Sequence, residues 1–268
     1  MLRQLAARYR GWIGGSMLVA RGDDVYNAYH LVEPDGTVHV HDKDLPTMWE
    51  NAFYRGGGDP GLFATGLGTL GAAVCWELIR AQTLRRLAGR VELAVTGTHW
   101  WSLPENWPGL GPLAALAQYN RYLAEQAPVE FARHLGVPVL QASHAGTLRG
   151  DFLVLPGVDW SLPYVTRFVG TTQIVDATGH VLASRQTSEG AGFVCAEVTP
   201  GAVPVVAATP DRYWLPALPF VHRAYWHHQN AVCRSYYRRH GRRRGLTAAA
   251  SASRAPGRRA HAPELSAS

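Results

Sequence analysis

The sequence predicts an α/β fold with a mixed sheet covered by helices. Two observations carry this prediction. Strand-length apolar runs, such as "GTLGAAV", "VELAVTGT" and "VPVLQAS", alternate with segments whose apolar residues recur at helical spacing. Other strand-length runs are joined by tight turns, at Pro34-Asp35-Gly36 and at Asp176-Ala177-Thr178-Gly179, which is the chemistry of antiparallel hairpins.

Taken in order, "LRQLAARYRGW" sets Leu2, Leu5, Ala6 and Tyr9 at helical spacing. "WIGGSMLVA" reads as a buried strand with a Gly-Gly break, and "VYNAYHLVEPDGTVHVH" as the first hairpin. An irregular stretch containing Lys43 and Glu50 leads to the strand that ends at Cys75, followed by a helix carrying Leu78, Ile79, Leu84 and Leu87. "RVELAVTGTHWW" is the next strand, and "LAALAQYNRYLAEQAPVEFARHLG" is a helix that Pro128 is expected to interrupt. Strands follow in "VPVLQASHAG" and "DFLVLPG", then the hairpin "FVGTTQIVDATGHVLASRQ" and a last strand in "AGFVCAEV". No solenoid repeat is visible.

Composition narrows the class. With 47% hydrophobic and 17% charged residues among 268, the chain can bury a core of one large domain. The apolar stretches run about 8 to 10 residues, short of the roughly 18 needed to span a bilayer, and no apolar leader follows Met1. The three cysteines, Cys75, Cys195 and Cys233, are odd in number and widely spaced. They suit neither a disulfide framework nor a zinc site, so a reducing cytoplasm is the expected location. From Arg234 onward there are nine arginines against Glu264, while the net charge of the whole chain is only +6. That basic end reads as a solubilising, disordered tail in preference to a contact for nucleic acid or anionic lipid. The expected organisation is therefore a domain over residues 1–205, an aromatic and basic extension over 206–240, and an Arg/Ala/Ser-rich tail over 241–268.

Lys43 is the only lysine in the chain; the other members of the Lys+Arg count of 26 are arginines. An ammonium is a compact charge that can give up a proton, whereas a guanidinium stays protonated. Cys75 stands where an apolar strand ends and a helix begins, a place where the helix dipole and free N–H groups lower a thiol pKa. Cys195 and Cys233 lack that setting and read as inert small hydrophobes.

"KDLPTMWENAFYRGGGD" followed by "GTLGAAVCWE" resembles the nitrilase branch of the carbon–nitrogen hydrolase superfamily. The resemblance rests on Lys43, Pro46, Thr47, Glu50, Phe53, Gly58, Asp59, Gly71, Cys75, Trp76 and Glu77 in order, and it extends over about residues 1–200. It implies a four-layer α-β-β-α sandwich and a Glu–Lys–Cys catalytic set. Cys75 would attack a nitrile or amide carbon, Lys43 would stabilise developing charge and deliver a proton, and Glu50 would be the supporting glutamate that orients the lysine. No cofactor or metal is called for. The family's general base is a glutamate in its first strand–helix unit, and nothing before Lys43 matches it. Glu33 is the only glutamate there, at a hairpin turn. The first βα unit is therefore expected to be missing, either because Met1 is an internal start or because the chain is a catalytically impaired remnant.

Further candidates for substrate binding are Trp76, Glu77, Thr98, His99 and Trp100, with Glu77 read as a positioning residue and not the base. Trp100 and Trp101 have core packing as their alternative reading, and His144 is a weaker candidate. "DRYWLPALPF" and His227-His228 read as interface packing, and the resemblance implies self-association. Hydrolysis of a nitrile to acid and ammonia is the first expectation; an amidase or carbamoyl-amide hydrolase is the alternative.

Overall fold

A computed structural model describes residues 1–109, 111 and 114–254. Helix α1 (Leu2–Tyr9) leads into three antiparallel strands, β1 (Ile13–Arg21), β2 (Asp24–Val32) and β3 (Val38–Asp42), which form one sheet in that order. The second sheet has six strands: β4 (Leu62–Thr65), β5 (Gly68–Val74), β6 (Leu93–Thr98), β7 (Val139–Ser143), β10 (Thr171–Val175) and β11 (Val181–Gln186). Their order is β11-β10-β7-β6-β5-β4, with β5, β6 and β7 parallel and the outer pairs antiparallel. The mixed sheet is thus as expected. Strands β8 (Thr147–Leu153) and β9 (Ser161–Arg167) form a separate antiparallel ribbon.

The two main sheets pack face to face through β1 and β6, so the layers run helix, sheet, sheet, helix. On one side α1 rests on β1 and β2; on the other α3 (Ala114–Leu135) lies on β7 and β10, beside α2 (Ala81–Leu87). Leu78, Leu84, Leu87 and Phe131 are buried in the same apolar core as Leu70, Ala72 and Val74 of β5. Helix α4 (Phe220–Tyr236) continues through a π-turn at Tyr237–Gly241 into α5 (Arg242–Arg254). Among the described residues no helix is long and apolar enough to cross a membrane.

Several local expectations change. β1 is an edge strand, and Met17 and Leu18 are 43% and 56% exposed; an apolar run does not reveal whether a second layer covers it. Pro128 sits inside α3 without ending it. The carbonyl of Glu125, in the turn before the proline, accepts a hydrogen bond from Gln173 Nε2 at 3.0 Å, which ties that turn to β10. Residues 191–198 form no strand, Phe193 is 77% exposed and Cys195 is exposed too, because the segment pairs with no ladder. β9 was not expected, since Pro163 falls in its middle; a two-stranded ribbon has open edges where a proline is tolerated. "DRYWLPALPF" packs on the chain's own core, where Leu215 and Leu218 are buried.

The stretch from residue 242 to 254, read as tail, is helical; 255–268 lie outside the described residues. The approach of this helical arm is close. A Cβ on Gly241 would fall 2.0 Å from the Ala52 carbonyl oxygen, so glycine lets the arm lie directly on the turn that carries Glu50.

Candidate active site

Lys43 follows β3 and is fixed by its backbone, with its N–H donating to the Asn27 carbonyl and its own carbonyl accepting from Gly57, both at 2.9 Å. The glycine run opposite permits this approach, because a Cβ on Gly57 would meet Asp42 Cβ at 2.3 Å. The Lys43 side chain is 0% exposed. Its ammonium donates to Thr47 Oγ1 at 3.1 Å and to Glu50 Oε2.

Glu50 belongs to a 3-10 turn, Met48–Ala52, that Thr47 caps. Its Oε2 also accepts the Thr47 N–H at 2.7 Å, so one carboxylate closes its own turn and holds the lysine. Helix α4 braces that turn from outside. Asn230 Oδ1 accepts from the Met48 N–H at 2.8 Å and from Asn51 Nδ2 at 2.7 Å. Asn230 stands far along the chain, and no local pattern points to it.

Cys75 ends β5 at a sharp corner with φ of 56°, a conformation that costs a non-glycine residue about 1–3 kcal/mol. A sharp corner of this kind turns a side chain out of the line of its strand, the geometry that strand-to-helix elbows use in other folds. The thiol differs from expectation in one respect. Residue 75 opens a 3-10 turn, Cys75–Ile79, and α2 starts only at Ala81, so no helix dipole reaches the sulfur. Burial pushes the thiol pKa up; the Lys43 ammonium pulls against it, Glu50 adds to the rise, and the Thr98 hydroxyl and His99 N–H lower it. The net direction is upward, which leaves a thiol that needs a base. The Thr98 hydroxyl faces the sulfur without closing a hydrogen bond to any group.

A cavity of about 410 Å³ opens beside these residues, lined by Trp49, Glu50, Tyr54, His99, Trp101 and His144 among others. Burial, and then His144, lower the His99 pKa to about 4, so its ring is neutral at neutral pH. Burial, followed by Glu50, raises the Tyr54 pKa well above that of a free phenol; its hydroxyl accepts from Asn27 Nδ2 at 3.3 Å. Tyr54 and Trp49 were missed in the sequence, although both lie within four residues of Glu50, where one turn brings them to the same wall.

Of the remaining candidates, Trp100 is core, with its Nε1–H donating to Asn120 Oδ1 at 2.9 Å. Trp76 packs with Trp100 around a void of only about 50 Å³. Glu77 does not line the cavity. It is buried between the sheets, accepting from His41 Nε2 at 3.0 Å, and His41 Nδ1 meets Asp59 Oδ1 at 2.6 Å. Glu33 stays at its hairpin, bonded to Trp12, His39 and Gly66.

Burial opposes a charge on His41, but Glu77 and Asp59 outweigh it and push the pKa up to about 9, from 6.5 for a free histidine. A folded-state pKa above the unfolded one means stabilisation that is full below pH 6.5 and lost as pH rises through about 9. Urea unfolding between pH 6 and 10 should show this decline, and His41→Gln should flatten it. An equally steep decline in the variant would remove His41 as its source.

Comparison with known proteins bears on this geometry. The model of the carbon-nitrogen hydrolase family matches residues 1–206. The chain belongs to the carbon-nitrogen hydrolase family. No curated protein sequence matches it significantly. Among solved structures, a carbon-nitrogen hydrolase from Helicobacter pylori G27 is similar over 69% of this chain and 61% of that one, at 21% identity and a TM-score of 0.54. An amidase from Nesterenkonia sp. AN1 is similar at 19% identity over 69% of this chain and 63% of that one, with a TM-score of 0.47. Nit3 of Saccharomyces cerevisiae, a nitrilase-superfamily member, is similar at 19% identity over 69% and 59%, with a TM-score of 0.46. The match thus spans about three fifths of these relatives' lengths, 61%, 63% and 59%. The likeness to the Helicobacter pylori structure is one of fold, and this family member has the layered α/β architecture.

Proposed function

We propose that the chain hydrolyses a non-peptide C–N bond through a thioester on Cys75. The observation that carries this reading is the meeting of a strained, buried cysteine corner with a buried ammonium whose partner Glu50 lines the adjoining cavity. The Cys75 sulfur adds to the substrate carbon, and Lys43 stabilises the charge that develops on nitrogen or oxygen. The thiol proton ends on the departing nitrogen. With a nitrile, a first water converts the thioimidate to a tetrahedral adduct that expels ammonia; with an amide, ammonia leaves from the first adduct. Either route gives the thioester, and a water then releases the acid and returns a proton to sulfur.

Nitrile hydrolysis is the first reading, on the strength of the "CWE" and "LPT" features. Amide hydrolysis is the second reading, because the donors around the thiol, an ammonium and the His99 N–H, suit the oxyanion of a tetrahedral adduct as well as they suit a nitrile nitrogen. The raised thiol pKa makes a general base matter; without one beyond Glu50, turnover would be about 10²–10⁴-fold lower. The test is ammonia release from a panel of nitriles and amides, with the intact mass of the protein read after acid quench. An acyl adduct on the Cys75 peptide is expected. Ammonia release by protein already alkylated at Cys75, or no release from any member of the panel, would overturn the reading.

A further inference from the structure

Glu77 takes no part in the chemistry above, yet its position is unusual. Lys43 follows β3 of the three-stranded sheet and Cys75 follows β5 of the six-stranded sheet, so no β-ladder fixes one against the other. The Glu77 carboxylate spans that gap. Its Oε2 accepts the N–H of Val74, directly before the nucleophile, at 2.6 Å, and its Oε1 accepts the N–H of Asp44, directly after the lysine, at 3.1 Å. We propose that Glu77, held by His41, is a positioning residue that sets the separation of the Lys43 ammonium from the Cys75 sulfur.

This rests on the assignment of Cys75 and Lys43 made above. The charged groups facing Glu77 are His41 from β3, Arg86 Nη2 at 3.4 Å and Arg80 Nη2 at 3.9 Å. Asp44 and Asp59 lie on the outer side of the same network, on Arg80 and His41 respectively. A buried network of this kind is poor evidence for stability, because apolar residues of similar volume often do as well. What an apolar residue cannot do is accept at once the backbone N–H at the end of β5 and the one just after β3. A carboxylate can, and misplacement of reacting groups by about 1 Å costs on the order of 10²-fold in rate.

Glu77→Gln keeps the shape but turns an amide NH₂ toward one of those N–H donors. The expected result is a fall in kcat of about 10²-fold with KM within about threefold, and an upward shift in the pH midpoint for alkylation of Cys75 by iodoacetamide. Leu84→Ala, in α2, destabilises the protein in urea by truncating an apolar side chain that makes no hydrogen bond or ion pair in the network; its alkylation midpoint should match the parent. Asp59→Asn, at the half-exposed end of the chain, is the variant that keeps the buried carboxylate intact. It should move the high-pH limb of kcat to lower pH, because His41 loses part of what holds its proton. A folded Glu77→Gln protein with parental kcat and midpoint would overturn the proposal. If Glu77→Gln does not fold, an unmoved limb in Asp59→Asn overturns it. Should Cys75 alkylation leave turnover intact, the assignment of the nucleophile itself fails; should alkylation stop turnover while both variants behave as the parent, the positioning role alone falls.

Discussion

Cys75→Ala should abolish ammonia release from every nitrile and amide that the parent protein turns over, by on the order of 10⁴-fold or more, as for other essential nucleophiles. The change removes the sulfur on which the thioester is proposed to form and takes away only one buried atom. Cys75 is 2% exposed and acts structurally as a small hydrophobe. Alanine meets the same penalty at φ of 56° that cysteine meets, so no strain is gained or released. Folding stability should change by about 1 kcal/mol, the scale of one small buried apolar group. The measurement is ammonia production alongside thermal unfolding. Turnover that survives in a well-folded Cys75→Ala protein would remove Cys75 from the mechanism. Loss of turnover accompanied by unfolding would fail to match the expected pair of results, since the stability half of the prediction would then be wrong.

Much of this site was legible because its parts are local. Lys43 lies only seven residues before Glu50, and the capping of the Met48–Ala52 turn by Thr47 places the Glu50 carboxylate on the ammonium. The hairpins were legible for the same reason, since turn residues act within four positions. The opposite case is the thiol. Read locally, Cys75 opens a helix; in space it opens a 3-10 turn, and burial decides the direction of its pKa. Glu77 shows the same limit. Beside Trp76 it reads as an acid at a helix start, whereas its partners are His41 in β3 of the other sheet and Asp44 just after that strand.

The aromatic pair separates by register. Trp100 points into the core and Trp101 toward the cavity wall, and which of two neighbours faces inward follows from pairing that a single sequence does not display. The support from α4 was equally hidden. Asn230 reaches the Glu50 turn across more than half the chain, so a segment read as interface packing is part of the frame that holds the site.

Lys43→Arg should lower kcat by about 10²–10⁴-fold, the usual range for losing a positioned proton donor, while leaving the net charge of the site unchanged. The sequence has arginine at every other basic position, so this substitution asks whether charge alone is the requirement. The Lys43 side chain is wholly buried, and its ammonium is shared between Thr47 and Glu50. A guanidinium would still pair with Glu50, and in a bidentate manner. Its planar fork is larger, however, and overpacking a filled site costs about 1–3 kcal/mol. More decisively, it stays protonated throughout the working pH range and cannot hand a proton to the departing nitrogen. Lys43→Met separates the two contributions. It deletes charge and proton together and leaves Glu50 without its cation, a loss of about 3–5 kcal/mol for a buried pair broken from one side. Steady-state kinetics and urea unfolding of the two variants should therefore diverge, with Lys43→Arg the better folded and both nearly inactive. Near-parental kcat in Lys43→Arg would mean that a fixed positive charge suffices, and that the proton reaches nitrogen from another group.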